Sequence, residues 1–149
     1  MRLPALVLVL AFVAGGCRHF GFHDRPVEVD RNTVVVQDGV TYEELFVGQG
    51  TPAGAEDTVL IDYTVWLADG TETRVDSTLD RGVPVNVKLG SAFVDGLNSG
   101  LMSIRANGRR KVFVPAQQAY GAKGVEGAIP PDADLVFEIH ALEVHPHAP

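Results

Sequence analysis

The sequence predicts an α+β domain in which a curved antiparallel sheet of five to six strands wraps around one short helix. Several short segments alternate apolar and polar side chains with the period of two that is typical of β-strands. Only one stretch repeats its apolar residues three or four positions apart, as an amphipathic helix does. The 149 residues also include 16 Gly and 9 Pro, which favours a turn-rich fold with β-structure over a helical bundle.

The predicted strands begin with a hairpin. Residues 33–36 and 40–47 form its two strands, because Asp38 and Gly39 between apolar runs favour a tight turn. Residues 58–67 follow as a strand rich in β-forming side chains, and the odd-numbered positions of this strand share one face.

Four more segments complete the predicted sheet. Residues 71–77 and 83–89 alternate apolar and polar side chains, and 109–114 and 135–144 are the last two strands. The 20 residues between these last two strands, 115–134, are rich in Gly and Pro. A connection of this length is uncommon inside a compact domain, so we expect it to be functional.

One helix is predicted between the strands at 83–89 and 109–114. Its apolar stripe would run for about three turns, ending at Asn107 and Gly108. The stripe consists of Phe93, Val94, Leu97, Leu101 and Ile104.

Charge and cysteine content exclude several classes of function. The formal net charge of −7 at pH 7 argues against nucleic-acid binding. Arg109, Arg110 and Lys111 form the one basic cluster, which we expect to be a solvated strand end. A single cysteine excludes an internal disulfide and any metal site with several thiolates.

The first residues have the pattern of an export signal. Arg2 precedes a short apolar run, and small residues then lead to Cys17, an arrangement that resembles a bacterial lipobox with an acylated cysteine. We therefore expect a signal peptide at 1–16 and a lipid-anchored tether at 17–31. The folded domain would occupy 32–145 and a tail 146–149. The protein would then be an envelope lipoprotein facing the periplasm, on the outer rather than the inner membrane. The alternative is an ordinary cleaved signal with an incidental Cys17.

Other catalytic motifs are absent from the sequence. It contains no nucleophile elbow, catalytic triad or phosphate-binding loop. Asp76 and Asp80 are close in sequence, but neither His nor Lys stands near them to complete acid–base chemistry. His140, His145 and His147 near the C-terminus leave adventitious metal binding open, although we predict no metal site and no cofactor.

Several short motifs together resemble the FKBP-type peptidyl-prolyl cis-trans isomerase family. Each motif is weakly specific alone, but their order and spacing cover about 110 residues, 34–144. The motifs are VLIDYT at 59–64, LADGT at 67–71, VDST at 75–78, VDGL at 94–97, GRRK at 108–111, VP at 114–115, AYG at 119–121 and IPPDADLVF at 129–137. The resemblance implies a curved antiparallel sheet on a short helix and an activity that rotates X–Pro peptide bonds in other polypeptides.

The resemblance also implies a set of site residues. Tyr120 would donate its hydroxyl to a substrate carbonyl, the backbone N–H of Val94 would hold a second carbonyl beyond the proline, and Asp76 would be an orienting acceptor at the rim. Arg81 would pair with Asp76, and Leu97 would form the pocket floor. The pocket walls would be Tyr63, Val75, Val85, Ile129 and Phe137.

Three of these positions depart from the family's usual residues. Leu97 stands where the family commonly has Trp, while Val75 and Val85 stand where Phe is common. The loss of aromatic surface predicts a larger cavity, measurable but reduced catalysis and weak inhibitor affinity. We expect a monomer that acts on proline-containing polypeptides.

Two other functions remain open from the sequence. A non-catalytic module could use the same pocket to bind a proline-containing partner on the cell envelope. A metal-binding protein could use the terminal histidines.

Overall fold

The computed structural model describes residues 33–148. The predicted signal peptide and the whole predicted tether, including Cys17, therefore lie outside the described residues. The described part of the chain has no helix that is long and apolar enough to cross a membrane. Its strands are β1 (Thr33–Val35), β2 (Thr41–Phe46), β3 (Thr58–Leu67), β4 (Arg74–Ser77), β5 (Val85–Lys88), β6 (Arg109–Val114) and β7 (Leu135–His145), and its helices are α1 (Thr78–Arg81) and α2 (Asp95–Leu101).

All strands belong to one antiparallel sheet with the order β1-β2-β6-β7-β3-β4, and β5 also pairs with β3. The predicted α+β fold is confirmed. The hairpin between β1 and β2 turns at Asp38 and Gly39, whose φ angles of 52° and 81° are those that a tight hairpin turn requires. Along β3 the odd positions are buried, from Val59 to Val65, as the alternation predicted.

All seven predicted strand segments form strands, so the sheet has one strand more than the five to six expected; β3 is long enough to pair with two short strands along the same edge. β5 pairs with residues 58–61 of β3, and β4 pairs with residues 64–66. The four-residue helix α1 lies between β4 and β5 in sequence and was not predicted. Ser77 caps α1 by accepting a hydrogen bond from the Leu79 N–H at 3.2 Å, and Gly82 ends it at φ 64°.

Helix α2 is shorter than the apolar stripe predicted. It ends at Leu101, because Met102 has an extended ψ of 135° and Ser103 a left-handed φ of 64°. Phe93 and Ile104 therefore lie outside the helix, although Ile104 is fully buried. The prediction of three turns ending at Asn107 was wrong, since apolar spacing reports which side chains are buried and not where the backbone leaves the helix.

Arg110 holds the C-terminal end of α2 against the sheet. Its guanidinium is 2.9 Å from a Glu44 carboxylate oxygen and donates to the carbonyl oxygens of Gly100 and Met102 at 3.0 and 2.7 Å. The guanidinium also lies 4.0 Å from the centre of the Tyr42 ring. Only 2% of Arg110 is exposed.

The expectation of a solvated basic strand end was thus wrong for this residue. Alternation along β6 turns Arg109 and Lys111 outward and Arg110 inward.

The other contact of α2 with the sheet depends on two glycines. A Cβ on Gly96 would lie 2.5 Å from a Val114 methyl carbon, and a Cβ on Gly100 would lie 2.5 Å from a Val112 methyl carbon. Real Cβ atoms essentially never approach so closely. The helix backbone therefore rests directly on β6, which fixes where the first turn of α2 lies.

We predict that Gly100→Ala destabilises the protein by about 1–3 kcal/mol, because the added methyl overpacks the contact with Val112. The direction of this stability change is informative, because alanine normally stabilises a helix interior by about 1 kcal/mol relative to glycine. Urea unfolding measures the difference. Gly54→Ala is the matched control, as its Cβ would meet Asp57 at an ordinary 3.5 Å. Equal stability of Gly100→Ala and the unaltered protein would contradict the close approach.

Candidate active site

A cavity of about 250 Å³ opens between the sheet, the segment before α2 and the connection 115–134, here called the flap. Strand β3 contributes two side chains, β4 two, and β7 two, while the remainder come from the flap and from Phe93. The lining residues are Tyr63, Val65, Val75, Asp76, Phe93, Tyr120, Val125, Ala128, Ile129, Leu135 and Phe137. The lining is therefore largely apolar, with a few polar groups.

Three aromatic rings form a continuous surface along the cavity. The Tyr63 ring centre is 5.9 Å from that of Phe137 and 5.7 Å from that of Phe93, in tilted arrangements. Phe137 is almost fully buried and Tyr63 is 7% exposed, whereas Phe93 is 49% exposed. The first two rings belong to the core, and Phe93 remains available at the mouth.

The polar edge of the cavity is a hydrogen-bonded network around Asp76. The Tyr63 hydroxyl donates to Asp76 Oδ2 at 2.6 Å, and the Ser77 N–H donates to Oδ1 at 2.8 Å. Arg81 donates to Asp76 Oδ1 from one guanidinium nitrogen and to the Tyr63 hydroxyl at 3.2 Å from another. The network closes on itself and places one carboxylate, one cation and one phenol at the rim.

These contacts shift the pKa values of the network. Partial burial raises the pKa of Asp76, but the hydrogen bonds from Tyr63, Arg81 and Ser77 outweigh it, and the pKa falls below the ordinary aspartate value. Burial, and then the hydrogen bond to Asp76, raise the pKa of Tyr63. At neutral pH the carboxyl is therefore ionised and the phenol protonated.

Tyr120 lies in the flap between two short 3-10 turns, Ala116–Gln118 and Gly121–Lys123. Its ring lines the cavity, and its hydroxyl makes no hydrogen bond to any residue in 33–148. Burial, followed by the nearby charge of Asp76, raises its pKa, so the hydroxyl keeps its proton at neutral pH. The result is an uncommitted donor facing an apolar cavity.

The flap is held in place by backbone and side-chain hydrogen bonds. Asp134 accepts from the Ala116 N–H at 2.8 Å, and the Asp132 N–H donates to the Gly121 carbonyl at 2.9 Å. Val125 and Ile129 exchange two hydrogen bonds of 2.8 Å, forming a small closed loop at the flap tip. The flap is thus an ordered wall.

Six of the ten predicted site positions line this cavity: Tyr63, Val75, Asp76, Tyr120, Ile129 and Phe137. Arg81 lies beside it through its bonds to Asp76 and Tyr63. Val94 caps the start of α2, and its N–H has no hydrogen-bond partner among the described residues.

Leu97 and Val85 do not line the cavity. Leu97 is fully buried in the core and offers no accessible floor. Val85 pairs with Ile61, toward the other end of β3 from the cavity-lining Tyr63 and Val65.

Several lining residues were not predicted. Val65 and Leu135 each stand two positions from a predicted residue on the same strand face, a signal that the alternation offered. Phe93 was assigned to the helix stripe, and Val125 and Ala128 lie in an irregular loop without periodicity.

Two other features of the described residues are weaker candidates for a functional site. His145 and His147 pair with Glu143 and Glu56 at 3.1 and 3.5 Å, but no three potential ligands in 33–148 gather into a metal site. A larger and more open depression of about 380 Å³ lies on the opposite face of the sheet, where Trp66 sits among charged side chains. The smaller apolar cavity is the better candidate, because binding sites enclose apolar surface with few polar groups.

We predict that Tyr63→Phe raises the pKa of Asp76, because the lost hydroxyl no longer stabilises the carboxylate. Carbon-detected NMR of the aspartate carboxyl groups over acidic pH measures the change. Tyr42→Phe, remote from Asp76, should leave the titration as it is. An unchanged Asp76 pKa in Tyr63→Phe would contradict the network.

Comparisons with known proteins agree with the fold. The model of the family described as FKBP-type peptidyl-prolyl cis-trans isomerase matches residues 49–142. An FK506-binding protein of Neisseria meningitidis serogroup B is 37% identical over 108 residues, covering 72% of this chain and 97% of that protein. Outer membrane protein MIP of Legionella longbeachae is 38% identical over 111 residues, covering 74% of this chain and 46% of that protein.

A solved structure gives the same result. The crystal structure of FkpA from Escherichia coli superposes with a TM-score of 0.70 at 32% sequence identity, over 78% of this chain and 53% of that one. The chain therefore belongs to the FKBP-type peptidyl-prolyl cis-trans isomerase family.

Proposed function

We propose that this chain isomerises X–Pro peptide bonds in exported polypeptides, holding the prolyl ring in the cavity beneath the flap. The observation that carries the proposal is the uncommitted Tyr120 hydroxyl beside an apolar cavity walled by Tyr63 and Phe137. A volume of about 250 Å³ accommodates one prolyl ring with part of its flanking chain. The site needs no cofactor for this reaction.

The chemistry follows from the amide bond. Resonance creates a rotation barrier of about 18–20 kcal/mol, so X–Pro bonds isomerise over roughly 10–100 s unaided. Twisting breaks the resonance and leaves a less polar amide, which an apolar, water-poor cavity favours over the planar form. No bond is formed or broken in the peptide, and no proton has to move.

Two donors would hold the twisted peptide. Tyr120 would donate its hydroxyl to a substrate carbonyl, which requires the protonated phenol that its raised pKa provides. The N–H of Val94 would hold the carbonyl beyond the proline. Both groups lack a partner among residues 33–148, so neither has to break an internal hydrogen bond to bind.

Asp76 would orient the site instead of transferring a proton. Its Oδ2 accepts from Tyr63, and its Oδ1 accepts from Ser77 and Arg81. With both oxygens engaged and a lowered pKa, the carboxylate is a poor base at neutral pH. Its fixed charge would align the substrate at the rim, where Arg81 neutralises part of it.

The cellular setting is part of the proposal. The lipobox-like pattern before Cys17 supports an acylated, membrane-anchored protein facing the periplasm, with residues 17–31 as tether. The similarity to an outer membrane protein supports the outer membrane. Mass spectrometry of the membrane fraction would detect the acylated N-terminal peptide, and an unmodified Cys17 would exclude the anchor.

We predict that the protein accelerates isomerisation of a proline peptide and that Tyr120→Phe lowers kcat/KM about tenfold, the loss of one hydrogen bond in the transition state. A protease-coupled assay on a proline peptide measures both. Tyr42→Phe is the matched control, since its hydroxyl makes no hydrogen bond among the described residues. If the protein binds the peptide but does not accelerate its isomerisation, the proposed enzyme is contradicted and a non-catalytic proline-binding module is favoured.

A further inference from the structure

Phe93 is an aromatic side chain that the fold buries only in part. It lies between β5 and α2, and 49% of its surface is exposed although its ring packs against Tyr63. It is absent from the buried core, whose members on either side, Leu89 and Val94, are at most 2% exposed. Half of a large apolar side chain therefore remains in water at the cavity mouth.

A second exposed apolar side chain reaches the same cavity from the flap. Val125 is 38% exposed and lines the cavity together with Phe93. Single exposed apolar residues are common on protein surfaces. Two exposed apolar side chains from separate segments at one cavity mouth indicate a ligand contact more strongly, because apolar surface at a site contributes to binding when a ligand covers it.

The two edges of the mouth differ in chemistry. The edge formed by β4 and α1 carries the charged pair of Asp76 and Arg81. The edge formed by Phe93 and Val125 presents apolar carbon. A peptide that enters the cavity can therefore meet both the charged pair and the apolar side chains of Phe93 and Val125.

We infer that Phe93 and Val125 form an apolar subsite that selects a large apolar side chain at the residue following the proline. The inference rests on the proposed function, in which the Val94 N–H holds the carbonyl beyond the proline. Phe93 precedes Val94 in the chain and its side chain lines the cavity, so it would lie near that part of the substrate. An apolar side chain there would cover the exposed face of Phe93 and remove it from water.

The test compares peptides that differ only after the proline, with Ala, Leu, Phe or Glu at that position. Because a protease-coupled assay constrains this residue, exchange NMR of the cis and trans forms should measure kcat/KM directly with the full chain. We expect kcat/KM for the Leu and Phe peptides to be about fivefold higher than for the Ala peptide, because an apolar contact of this size contributes about that much. The kcat/KM of the Glu peptide should be lower than that of the Ala peptide.

In Phe93→Val the ratio of Leu to Ala peptides should fall to about twofold or less, because most of the apolar edge is lost. Phe46→Val is the matched control, since Phe46 is 57% exposed but lies outside the cavity. The ratio is taken within one variant, so a uniform loss of activity cannot imitate the effect. Val125→Ala provides a second variant, with a smaller drop expected, should Phe93→Val fail to fold.

The outcomes separate the two claims. If the protein accelerates all four peptides equally, the subsite is overturned but the isomerase activity stands. The same follows if neither Phe93→Val nor Val125→Ala changes the ratio of kcat/KM between the Leu and Ala peptides. Acceleration of none of the peptides overturns the proposed function, and the subsite with it.

Discussion

The direct contact of the α2 backbone with β6 is the constraint on which the rest of the structure depends. Gly96 and Gly100 allow it, because any larger side chain would overlap the valines of β6. Arg110 holds the other end by binding carbonyl oxygens near the helix C-terminus. With the helix fixed at both ends, the segment that enters it brings Phe93 to the cavity, and Val94 follows Phe93 directly as the N-cap of α2.

The cavity in turn separates two kinds of surface. In the proposed function, apolar walls such as Phe137 would disfavour the polar planar amide, while the closed network of Tyr63, Asp76 and Arg81 keeps its charges at the rim. The network satisfies its own hydrogen bonds, whereas Tyr120 has none among the described residues. In the proposed function such a site would bind and twist a prolyl peptide without acid–base chemistry, because the reaction rotates a bond and transfers no proton.

The sequence predicted the parts of the structure that depend on local pattern. The alternation along the strands and the turn at Asp38 were sufficient for the sheet, because strand period and turn chemistry are local properties. The helix length, the burial of Arg110 and the position of Phe93 were not predicted, since each depends on which distant element packs nearby. Leu97 illustrates the limit: its place in the helix stripe was correct, but only the packing shows that it lies in the core and does not line the cavity.

The most direct test is where a bound prolyl ring lies. In NMR spectra of the protein with a proline peptide, nuclear Overhauser effects should connect the prolyl ring protons with the rings of Tyr63 and Phe137. Isotope labelling of the aromatic residues would assign them. Contacts confined to Trp66 and Leu79, in the depression on the opposite face of the sheet, would contradict the account.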